Sequence, residues 1–96
     1  MNKYFIEKTV ISVINEYCKS ADILVEITID TPLIGGNRIL DSMGLVNIIV
    51  DIESTFIELN FEITLTSESA LSSRISPFRS VGSLSNFIAL QLGINE

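Results

Sequence analysis

The stretch from Leu40 through Asp41, Ser42 and Met43 to Glu53, continued to Leu59, constrains this chain most, because its apolar residues repeat with the period of a helix. At about 100° per residue, Leu45, Ile48, Ile49, Ile52, Phe56 and Leu59 fall on one face, which is expected to form the centre of a core. Met43, Asn47, Val50, Asp51, Ser54 and Glu58 fall on the opposite face, which is acidic yet carries two apolar residues. Asp41 and Ser42 are both good N-cap types, so the helix is expected to begin at one of them and to run to about Glu58.

Two further segments carry a helical stripe. From about Tyr4 to Cys18, Ile6, Val10, Val13, Ile14 and Tyr17 share a side with Phe5 and Ile11 flanking, while Glu7, Lys8, Asn15, Glu16 and Lys19 mostly take the other. Near the other end, Ser80 has the chemistry of an N-cap, Val81, Leu84, Phe87, Ile88 and Leu92 form a stripe, and Gly93 suits a C-cap. A short helical turn is expected around Ser67–Ser73, closed by Pro77. The fold expected is an all-α, small four-helix bundle, three longer helices plus one short helix, in a single domain over residues 1–96.

The connections read less simply. Ile23, Val25, Ile27 and Ile29 alternate with Leu24, Glu26, Thr28 and Asp30 as in a strand. Such a strand has no obvious partner elsewhere in the chain, so an extended connection whose isoleucines plug the core is expected instead. Pro32 and Gly35-Gly36 mark a turn near its end, and no phosphate-binding fingerprint surrounds the glycine pair. Phe61, Ile63 and Leu65 alternate again after Asn60, which is expected to end the second helix.

Composition removes several function classes. With 96 residues and 47% hydrophobic residues the chain can bury one modest core. A formal net charge of -6 opposes phosphate backbones and anionic lipid, so neither nucleic-acid binding nor membrane insertion is expected. From Asp41 to Glu68 the chain carries Asp41, Asp51, Glu53, Glu58, Glu62 and Glu68 with no Lys or Arg, which points to partners with basic surfaces. The lack of histidine removes the usual general base, and a single cysteine, Cys18, expected at the core edge, can form neither an internal disulfide nor a thiolate metal cluster. A self-contained enzyme is not expected. The N-terminal residues lack a signal-peptide pattern, and no stretch is apolar and long enough to span a bilayer, so a soluble, cytoplasmic monomer is expected.

The triplet Asp41-Ser42-Met43, followed by Gly44, Leu45-Val46, Ile52-Glu53 and Phe56, resembles the Asp-Ser-Leu signature of the acyl carrier protein family with Met in place of Leu. The spacing of the flanking helices extends that likeness over essentially the whole chain. The resemblance implies that 4'-phosphopantetheine, taken from coenzyme A, is joined covalently to Ser42 by a phosphopantetheinyl transferase. It implies that an acyl or similar group is then carried as a thioester for fatty-acid, polyketide or related biosynthesis. It further implies that acyl-activating and acyl-transferring enzymes with basic docking surfaces bind at Asp41, Met43, Asn47, Val50, Asp51 and Ser54. Asn47, Ser54 and Thr55 stand where acidic members of that family often carry Glu, which implies a more dedicated partner set. Two alternatives stay open: an aminoacyl, peptidyl or D-alanyl carrier, and an unmodified helical adaptor that binds a basic partner through the second helix. Ser42 taken alone is also an ordinary cap residue.

Overall fold

A computed structural model describes residues 2–34, 39–63, 65 and 78–94. Among them the chain is an all-α globule of three helices: α1 (Lys3–Ser20), α2 (Ser42–Glu58) and α3 (Val81–Gln91). No strand occurs among the described residues. The short helix expected around Ser67–Ser73, the Gly35-Gly36 turn and Pro77 lie outside them.

Helix α1 is the spine. Its fully buried side chains, Ile6, Val10, Ile14 and Cys18, recur every fourth residue. A four-residue step overshoots one helical turn by about 40°, so this stripe winds around α1 and presents apolar surface in more than one direction. Both α2 and α3 lie against α1, whereas the backbones of α2 and α3 do not approach one another. The apolar face of α2 is buried as its period requires, with Ile48, Ile49, Ile52 and Phe56 in the core and Leu45 half-buried. Leu59 ends up exposed, because it is the C-cap residue, beyond the last residue of the helix. The apolar face of α2 thus joins the core as expected, and α1 is the helix against which both others lie. Cys18, in the last turn of α1, is buried against the core.

Each helix start is closed by its own N-cap side chain. Asn2 Oδ1 accepts the Phe5 N–H at 2.8 Å, Asp41 Oδ1 accepts that of Gly44 at 2.7 Å, and Ser80 Oγ accepts that of Ser83 at 3.1 Å. Each helix end turns through a residue of positive φ: Asp22 (58°), Asn60 (69°) and Gly93 (73°). After these turns the Ile23, Phe61 and Ile94 N–H groups donate back to the carbonyls of Cys18, Phe56 and Ala89 at 2.8, 2.9 and 2.9 Å. This is the Schellman arrangement, in which an orphan carbonyl is satisfied and an apolar residue is directed back onto the helix it has just left.

The segment after α1 departs from expectation. Ile27 is buried and Ile23 half-buried, but Val25 and Ile29 are exposed and Leu24 is 94% exposed. Ile29 contributes backbone rather than side chain: its carbonyl accepts the Gly82 N–H at 2.7 Å, and the Thr31 carbonyl accepts that of Val81 at 3.1 Å. Those are the first two N–H groups of α3, so this segment completes the cap that Ser80 begins. The missing partner of the alternating stretch is thus the approach to α3, through one antiparallel bridge between Pro32 and Ser80 and a Leu33 N–H to Arg79 carbonyl bond of 3.2 Å. Pro32 has no N–H, which stops the bridge from growing into a ladder. Thr31 and Leu33 are buried behind it.

Two outcomes test this account. Ser80→Ala removes a cap and should cost about 1 kcal/mol, whereas Asn60→Gly relieves a non-glycine residue at positive φ and should cost nothing or stabilise by up to about 1 kcal/mol. Urea unfolding of the two variants reads both signs. For Cys18, burial pushes the thiol above its ordinary value of 9.0. As pH rises the unfolded chain loses this proton first, so the thiol's contribution to stability is intact below pH 9.0 and declines above it. Alkylation by iodoacetamide at pH 8 should run more than ~100-fold slower in the native protein than in urea. Comparable rates in the two states would place the thiol outside the core.

Candidate functional site

The candidate site is the start of α2 and the outward face that follows it. Leu40 is buried in the core and Leu45 packs against it, at the N′ and N4 positions of a hydrophobic staple, so the entry of the chain into the helix is anchored on both sides of the cap. Between them Asp41 has extended backbone (φ -82°, ψ 179°) and its carbonyl already accepts the Leu45 N–H at 3.0 Å. Asp41 is therefore the N-cap, which leaves Ser42 as the first residue of α2. Asp41 is exposed, and Met43, next in the chain, is 77% exposed.

All six residues expected on the outward face of α2, Met43, Asn47, Val50, Asp51, Ser54 and Glu58, are exposed. Two more apolar residues join them. Val46 and Ile57 are 59% and 57% exposed, beside Val50 at 51%. At about 100° per residue, Met43, Val46, Val50 and Ile57 lie within an arc of about 60°, so they make one apolar stripe along the helix. Asn47, Ser54, Glu58 and Asp51 border that stripe on one side, and α2 carries no Lys or Arg. The period of the sequence already contains Val46 and Ile57.

Glu53, counted by sequence among the acidic residues available to partners, has a different task. Its Oε2 accepts the Leu65 N–H at 3.1 Å, and Leu65 is fully buried. With Ile63 also buried and Phe61 half-buried, the alternation after Asn60 is an apolar strap, and the Glu53 carboxylate ties it to α2. No sequence signal marked this bond, because its acceptor and donor are 12 residues apart and of ordinary type.

Gly44 follows the Asp41-Ser42-Met43 triplet directly. It is buried in the first turn of α2, and a Cβ on it would lie 2.9 Å from the Tyr17 hydroxyl, 3.3 Å from Tyr17 Cε2 and 3.1 Å from Asp41 Oδ1. Tyr17 sits near the end of α1, so this close approach fixes where the start of α2 meets the end of α1.

The other serine-bearing helix start differs. At α3 the first two N–H groups are taken by the Thr31 and Ile29 carbonyls and the third by Ser80, so that end is closed by the chain itself. Among the described residues no group of His, Cys, Asp and Glu could hold a metal ion, and no helix is long and apolar enough to cross a membrane. An open groove near the other end of the α1–α2 pair is lined by Tyr4, Phe5, Lys8 and Thr55 among others, and Lys8 Nζ lies 5.3 Å from the Tyr4 ring centre. Comparison with protein-family models, with curated proteins and with solved structures finds no match to this chain.

The Glu53 bond is directly testable. Glu53→Ala should destabilise the protein by about 1–3 kcal/mol, because a buried backbone donor loses a charged acceptor, while the exposed Glu58→Ala should stay within about 0.5 kcal/mol of the parent. Equal midpoints for the two variants in urea would show that the strap does not depend on Glu53.

Proposed function

We propose that this chain is a carrier protein in which Ser42 is the attachment point of 4'-phosphopantetheine, with an acyl or similar group held on that arm and presented to partner enzymes. The observation that carries the reading is the position of Ser42: first residue of α2, directly after an exposed capping aspartate and directly before an exposed methionine that begins an apolar stripe. A serine at the first position of a helix lies at its positive dipole end, which favours a phosphodiester. The group supplies a thiol on which a carboxylic acid is held as thioester.

The residues present suit that group. Asp41 caps the helix start with its own carboxylate, which accepts the Gly44 N–H at 2.7 Å. The chain has no histidine to deprotonate Ser42, which assigns the base and the metal to the transferase. Met43, Val46 and Val50 offer apolar contact beside the attachment point, and Asp41, Asp51 and Glu58 steer toward Lys and Arg on a partner. The carried group is a fatty acyl, polyketide, aminoacyl, peptidyl or D-alanyl unit, chosen by the loading enzyme.

A second reading has its own support. The exposed stripe runs on to Ile57, several turns past Ser42, which also suits an unmodified adaptor that lays α2 against a basic, apolar partner. Incubation with coenzyme A and a broad-specificity phosphopantetheinyl transferase, followed by intact mass, separates the two. The carrier gains one phosphopantetheine that is absent in Ser42→Ala. A folded protein that takes up none with any transferase tested is the adaptor.

A further inference from the structure

We propose that Tyr17 is a positioning residue for Ser42, acting through Gly44 and Asp41 to hold the first turn of α2 in register. The proposal rests on the reading of Ser42 as the attachment point. Gly44 is the third residue of α2, a position where glycine costs about 1 kcal/mol relative to alanine and leaves the first turn loose. The Asp41 cap holds that turn from within α2, and Tyr17 approaches it from α1. The nearest side-chain atom to the missing Cβ is the Tyr17 hydroxyl at 2.9 Å, closer than the ring edge at 3.3 Å. The Asp41 carboxylate oxygen that accepts the Gly44 N–H lies 3.1 Å from the same point.

Hydroxyl, carboxylate and glycine thus meet at one spot, and Ser42 lies between the carboxylate and the glycine in the chain. Glycine lets α1 come close enough for its tyrosine to bear on the α2 backbone, and the tyrosine then restricts the freedom that glycine introduced. The phenol hydroxyl is what distinguishes this from ordinary packing, since a phenylalanine would fill the same apolar space without it. Tyr17 is half-buried, anchored on the core side while its hydroxyl reaches the helix start.

The test uses the full chain with Tyr17→Phe, Gly44→Ala and the double variant. Amide exchange of Gly44 reads the first turn, and exchange of Ile52, in the buried part of α2, reads the fold as a whole. Tyr17→Phe should speed Gly44 exchange at least about fivefold with Ile52 unchanged, and should slow modification of Ser42 by the transferase by a similar factor. Gly44→Ala should slow modification more in the parent than in the Tyr17→Phe background, where the nearest clashing atom is gone. Parent rates in Tyr17→Phe overturn the proposal, as does a parallel rise in Gly44 and Ile52 exchange, which marks general loosening. Slower modification with unchanged Gly44 exchange also overturns it, because the hydroxyl then contacts the transferase instead. If the unsubstituted protein accepts no phosphopantetheine, the attachment reading fails by itself, and Gly44 exchange alone decides whether Tyr17 braces the turn.

Discussion

Everything in this small globule leans on the buried stripe of α1. Because Ile6, Val10, Ile14 and Cys18 advance around the helix as they advance along it, one helix serves two neighbours whose backbones stay apart while their side chains share its core. Such an arrangement places a heavy demand on few residues. Removing any one of the large buried side chains of α1 costs on the order of 2–5 kcal/mol, a sizeable part of what a domain of this size has in total. The same stripe sets the depth at which α2 can dock, and at Gly44 the approach is close enough that a Cβ would require the Tyr17 hydroxyl to shift.

The connections are held by backbone accounting rather than by sheet. Three side-chain caps and three Schellman turns act locally at the six helix ends, and further backbone donors are satisfied at longer range, the first two N–H groups of α3 by the Thr31 and Ile29 carbonyls and the Leu65 N–H of the strap after α2 by Glu53. A segment that alternates apolar and polar residues need not be a strand when its carbonyls are already committed to a helix start. That is why Ile29 is exposed although the alternation favours its burial.

What was legible in the sequence follows from this division between local and long-range causes. The burial of Ile48, Ile52 and Phe56, the outward placement of Met43 and Val50, and the ends at Asp41, Ser80, Asn60 and Gly93 each depend on residues within a turn or two, so period and cap chemistry suffice to read them. Asp22 escaped because aspartate is a less usual choice than glycine or asparagine for a left-handed helix end, although its short polar side chain tolerates that backbone. The Pro32–Ser80 bridge, the Glu53–Leu65 bond and the Tyr17–Gly44 approach were invisible for one shared reason. Each is a meeting of segments whose relative placement is decided only when α1 has gathered α2 and α3 around itself. In the candidate site the position of Ser42 was readable, while the Tyr17 and Gly44 contact that shapes its surroundings was not.

The two faces of α2 pose opposite demands, and charge resolves them. Its outward stripe of Met43, Val46, Val50 and Ile57 is apolar enough to invite association, and in a chain of one kind the first available partner is another copy. Two such stripes laid antiparallel would bring the Asp51 and Glu58 edge of each copy onto that of the other, with no Lys or Arg on either α2 to offset them. That repulsion weighs against pairing of two copies in this orientation, whereas the proposed basic partner would meet both the apolar stripe and its acidic border. Selectivity of that kind requires the acids to remain at the surface and uncommitted, which separates Asp51 and Glu58, on the exposed edge, from Glu53, whose carboxylate is already held by the chain's own backbone.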